Sequence, residues 1–131
     1  MTALRGRYNS TLPTLEDDQW TDIQLDVNGK LRTVTDHPTT GIGHGVKTVT
    51  TAGTDEVLAA STAVKWVILQ AQTDNTGVIA IGAVGVDATV ATGNGIILAA
   101  SEKITLPCDN LADIYLDSTV SGDGVRYIYG T

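Results

Sequence analysis

The sequence predicts an all-β protein: an antiparallel β-sandwich, jelly-roll-like, preceded by an extended N-terminal arm and a β-hairpin. Three observations carry this. Residues 46–131 hold 25 Val, Ile and Leu, of which 19 are β-branched, the side chains that suit a pleated strand better than a helix. Short apolar runs recur about every 8–12 residues with turn residues between them, the spacing of a sandwich or barrel. Two of these runs, AVKWVILQAQ at 63–72 and TGVIAIGA at 76–83, are apolar on both faces. Both faces therefore need cover, from a second sheet or another subunit. Asp74-Asn75-Thr76-Gly77 between them reads as a turn, which makes the pair a hairpin at the centre of the sandwich.

Taken in order, residues 1–19 show no apolar periodicity. Pro13 biases Leu12 towards extended geometry, and Tyr8, Leu12 and Leu15 are spaced apolar anchors. A plain tail and an arm that orders on a neighbour both fit. From Trp20, Ile23, Leu25 and Val27 alternate with Asp22, Gln24 and Asp26. Asn28-Gly29 then supplies a type I′ turn, and Lys30 to Val34 returns. A two-stranded hairpin is marginal alone, so its apolar face needs a surface to lie on. Residues 1–35 are thus arm and hairpin, and 36–45, with Pro38, Gly41, Gly43 and Gly45, read as a glycine-rich linker. The sandwich domain spans 46–131. Its expected strands are 46–51, 55–60, 63–72, 77–83, 95–100, 102–106, 112–117 and 124–129, the seventh opening on a helical turn. The expected core includes Trp66, Ile68, Ile79, Ile81, Leu98, Ile104, Leu106, Ile114 and Tyr127.

The net charge is −7, with eight Lys and Arg against 15 Asp and Glu. Phosphate binding needs clustered cations, so nucleic acid is not an expected partner. Arg5 and Arg7 form the one basic cluster, suited to an acidic partner surface. No apolar run is long enough to cross a membrane as a helix, and no secretory signal pattern opens the chain. The single cysteine, Cys108, rules out an internal disulfide, as in a chain folded in a reducing cytoplasm.

Motifs for chemistry are missing. There is no G-x-S-x-G, H-E-x-x-H, phosphate-binding loop or C-x-x-C, so the chain reads as non-enzymatic with no cofactor. His37 and His44 flank the glycine-rich segment and read as exposed loop residues. Asp109, Asp113, Asp117 and Asp123 do not follow a calcium-loop spacing and read as a solvated face. Cys108, beside Pro107 at a strand end among apolar neighbours, reads as a small buried residue and not a nucleophile. Tyr127 and Tyr129 share one face of the last strand with Val125, while Arg126 and Ile128 point the other way. With Trp66 the tyrosines are candidates for a glycan-binding platform, or for core and interface.

The segments Val78-Ile79-Ala80-Ile81-Gly82, Leu98 to Leu106, Leu111 to Asp117 and Gly124 to Tyr129 resemble small virion structural proteins of tailed double-stranded DNA bacteriophages. Tyr8 to Leu15 and Leu25 to Leu31 share that resemblance. It rests on strand and turn residues, and covers most of the chain. It implies a capsid decoration or cement protein: a virion component, assembled in the host cytoplasm, bound to the major capsid protein or neighbouring virion subunits. It also implies a homo-oligomer, a trimer at threefold lattice points. A tail, baseplate or head-fibre component, including a glycan- or receptor-binding module, is the alternative. The expected interface is Arg5, Arg7, Tyr8, Leu12, Leu15, Trp20, Ile23 and Leu25.

Overall fold

Eight short strands pair into two four-stranded antiparallel sheets that share one apolar core. The structure is a computed structural model that describes residues 39–131. The strands are β1 (Ile42–Thr48), β2 (Glu56–Val57), β3 (Trp66–Ala71), β4 (Ile79–Gly82), β5 (Ile96–Leu98), β6 (Lys103–Pro107), β7 (Tyr115–Ser118) and β8 (Gly124–Gly130). Seven of them overlap expected runs closely, while β1 begins four residues before the expected 46–51, inside the segment read as a linker. A 3-10 turn at Leu111–Asp113 precedes β7, capped by the Asn110 side chain accepting from the Ala112 amide. The first sheet has the order β1-β8-β3-β6 and the second β2-β7-β4-β5. First strand pairs with last, second with seventh, third with sixth and fourth with fifth. Pairs β3–β8 and β4–β7 join these ribbons into sheets.

Strand alternation decides which side chains enter the core. On β3, Val67, Leu69 and Ala71 are fully buried, and they face Ile79 and Ile81 of β4, Leu116 of β7 and Val125 of β8 in one cluster. Of the expected core, Ile79, Ile81, Leu98 and Ile114 are buried there, and Ile104, Leu106 and Tyr127 pack against it half-buried. Trp66 and Ile68 are a correction: they occupy the opposite phase of β3, half-buried on the outer face of the first sheet. Both phases of that strand are apolar, and the core took the one holding Val67 and Leu69.

The central hairpin is a second correction. β3 and β4 lie in different sheets, so Asp74–Gly77 is a crossing between sheets. The Asn75 side chain binds both backbone groups of Gly124, at 2.9 Å each. The Asp123 carboxylate accepts from the Thr76 and Gly77 amides, the latter at 2.7 Å. These bonds pin the crossing to the start of β8 and steer the chain away from its own preceding strand. Gly77 serves close approach and not a left-handed turn: a Cβ there would collide with Thr119 Oγ1.

The segment read as a linker is the third correction. Gly43 and Gly45 lie within β1, and the sheet begins at Ile42. Tyr129 and Tyr127 sit opposite them on β8, and their rings occupy the space a Cβ would need. The strand has glycines because the neighbouring strand supplies the side chains that cover it.

Candidate functional site

The eight expected interface residues, Arg5, Arg7, Tyr8, Leu12, Leu15, Trp20, Ile23 and Leu25, lie outside the described residues, as does His37. The remaining candidates separate. Tyr127 and Tyr129 stack with ring centroids 6.2 Å apart, on the inner face over the β1 glycines. Burial, and then the neighbouring Tyr129, push the Tyr127 hydroxyl above its usual pKa. Trp66 is on the other side of the sheet, its ring over Gly130 and its Nε1 donating to Thr39 Oγ1 at 3.1 Å. The three aromatics therefore form no shared platform.

The acidic residues are dispersed in the same way. Asp117, buried, accepts from the Gly53 and Ser118 amides through Oδ1, at 2.9 and 2.7 Å, and from the Ala88 amide through Oδ2 at 2.8 Å. A cleft of about 370 Å³ opens beside it, but the carboxylate is engaged with the backbone of the loops it ties down. Asp123, also buried, serves the crossing described above. Among the described residues no three His, Cys, Asp or Glu side chains come together as a metal site. The Cys108 thiol is pushed up by burial, then by Asp113 and Asp109, which disfavours the thiolate.

Among the described residues, the outer face of the β1-β8-β3-β6 sheet carries exposed apolar side chains. Strand register places its side chains in three cross-strand rows. The first is Ile42, Gly130, Trp66 and Pro107. The second is His44, Ile128, Ile68 and Thr105. The third is Val46, Arg126, Gln70 and Lys103. Ile42 is 68% exposed, Val46 61% and Ile128 39%. A shallow cleft of about 180 Å³ lies between Ile68, Ile128, Gln70, Lys103 and Arg126. Sequence reasoning assigned Trp66 and Ile68 to the core and passed over this face. The signal was Gln70 and Arg126, the polar members of the outward phase on β3 and β8, which mark the side that meets water.

No family model, curated protein or solved structure matches the chain.

Proposed function

We propose that the protein is a non-enzymatic virion structural protein that binds the assembled head of a tailed bacteriophage and stabilises it, as a cement or decoration protein. The observation that carries this reading is the open face of the first sheet. Three aliphatic side chains with substantial exposure on one flat surface, beside a half-buried tryptophan, are a surface for another protein. The strand pairing supports the viral context. Pairs of first with last, second with seventh, third with sixth and fourth with fifth describe one long antiparallel ribbon rolled into two sheets. We read that order as a jelly roll, an architecture that viral capsid proteins share with lectins. The resemblance in strand and turn residues points the same way.

A cement protein acts by mass action. It binds the closed lattice and not the separated subunits, so occupancy stabilises the lattice by about 2.7 kcal/mol per site at a hundredfold excess over Kd. Closed threefold symmetry, as a trimer, matches a threefold lattice point. The experiment is co-sedimentation of the purified full chain with phage heads that lack it, followed by heating. Saturable binding and a raised disruption temperature are expected. A cryo-electron microscopy map that puts its density on tail or baseplate reassigns the protein to those parts; heads that neither bind nor gain stability end the reading.

A further inference from the structure

We propose that the outer face of the β1-β8-β3-β6 sheet docks an acidic, aliphatic-bearing surface of a partner protein. Lys103 and Arg126 receive its carboxylates, and Ile68 and Ile128 its apolar side chains. That the partner is the head lattice rests on the function proposed above; the chemistry of the face does not.

The argument is one of charge placed against composition. Residues 39–131 hold nine Asp and Glu and four Lys and Arg. Yet none of the outward positions on the four strands of this sheet is acidic. Two of the four cations stand there, Lys103 and Arg126, and both are exposed. Neither has an ion-pair partner among the described residues. By contrast Lys47, on the inward phase of β1, is paired with Glu56 at 2.6 Å.

The register sets the spacing. Arg126 and Lys103 flank Gln70 on either side, which puts their Cα atoms about 10 Å apart across three strands. Gln70 is held down by its bond to the Ser101 carbonyl at 3.1 Å, so the cations reach over a fixed polar floor. The next row, Ile128 beside Ile68, is aliphatic. A partner that presents carboxylates over the third row and aliphatic groups over the second satisfies both. Two cations with an apolar row beside them are too few for a nucleic-acid track, where affinity grows with the number of phosphates neutralised. Apolar contact supplies the affinity, and the cations select the partner by sign.

The test uses the full chain and a soluble probe, acetyl-Glu-Leu-Glu-Leu-Glu-amide, with the Lys-for-Glu peptide as control. Backbone amide shifts are followed by NMR. The acidic peptide is expected to move residues 66–70, 103–106 and 126–128, and the basic peptide to leave them in place. Raising salt from about 0.05 to about 0.5 M should weaken the acidic peptide about tenfold. Lys103→Glu with Arg126→Glu should reverse the preference, and Lys103→Gln with Arg126→Gln should abolish it; both positions are on the surface, and circular dichroism melts confirm the fold. Equal response to both peptides, or shifts elsewhere on the protein, overturns the proposal. So does capture of the protein by vesicles of phosphatidylserine and phosphatidylcholine with the same residues responding. A second arm uses heads lacking the protein. Peptide binding at this face without binding to heads removes the lattice and keeps the docking chemistry. Tight binding to heads that ignores both salt and the Glu variants keeps the lattice and overturns the docking face.

Discussion

Strands β3 and β4 have similar sequences and end in different surroundings. Both are apolar on both faces. On β4, Ile79, Ala80 and Ile81 are all buried: the isoleucines enter the main core, while Ala80 lies outward under Val86, Ala88 and Tyr115. On β3 only the inward phase is buried, and Trp66 and Ile68 stay half-exposed on an open face. The difference lies in the length of chain that leaves each strand. β4 leads into residues 83–95, which fold back over its sheet. The Asp117 carboxylate holds the Ala88 amide there, and Asp55 holds the Gly85 amide at 2.9 Å. Gly85 adopts a φ of 83°, which lets the chain reverse. β3 leads into the tight crossing at Asp74–Gly77, with no chain left over to return. Among the described residues Trp66 and Ile68 stay partly exposed, and an exposed apolar strand face is a surface that another protein can cover.

The comparison breaks most completely if the cover over β4 is released. Asp117→Ala removes this acceptor from the Ser118 and Ala88 amides and leaves the Gly53 amide with the Ser118 carbonyl alone. Loss of three bonds to one buried carboxylate should destabilise the fold by about 4–5 kcal/mol. Chemical denaturation measures it, and increased dye binding by the native state would report the uncovered β4 face. A loss under about 1 kcal/mol would mean that the loop holds without Asp117.

Neighbouring residues on β3 test the two phases directly. Leu69→Ala removes a fully buried side chain and should cost about 3 kcal/mol. Ile68→Ala, one residue earlier, removes a half-buried one and should cost about 1 kcal/mol or less. If the two losses are equal, the outer face is covered in solution, which concentration-dependent sedimentation would reveal as self-association. Ile128→Ser should likewise leave the melting temperature within a few degrees while weakening attachment to heads.

Much of this fold was legible in the sequence, because β-branched runs and turn residues are local signals. Strands β2 to β8 fall where short apolar runs stand, only the end of β1 does, and the helical turn before β7 was visible at Leu111. What was not legible depended on partners distant in the chain. Gly43 and Gly45 look like a linker until Tyr129 and Tyr127 are placed opposite them. Asp74-Asn75-Thr76-Gly77 looks like a hairpin turn until Asn75 and Asp123 tie it to β8. Trp66 and Ile68 look like core because nothing local tells the two phases of a doubly apolar strand apart; only Gln70 breaks the tie. The candidate site was read at residues 1–35, outside the described residues, while the open face was overlooked for the same reason that Trp66 was misplaced.

The smallest expected effect concerns pH and the edge of the open sheet. Glu56 on β2 accepts from Lys47 Nζ on β1 at 2.6 Å, and from the Thr50 and Thr51 amides at 2.5 and 3.2 Å. The lysine bond, with help from those amides, holds the Glu56 carboxyl below its usual value of 4.5, against a modest opposing effect of burial. A carboxyl depressed in the folded state adds stability above its unfolded pKa, and that stability is lost as pH falls through the lower, folded value. Between pH 7 and 5 the contribution should be constant. It should decline below about 4.5. The pair is partly exposed and solvent screens it, so the total is about 0.5 kcal/mol. Glu56→Gln should therefore lower stability by about that amount at neutral pH and flatten this part of the acid limb. Because Lys47 is the inward charge on edge strand β1, hydrogen exchange should quicken in β1 before it quickens in β4. Exchange that rises equally in both strands would place the pair's effect on the whole fold and not on the open sheet's edge.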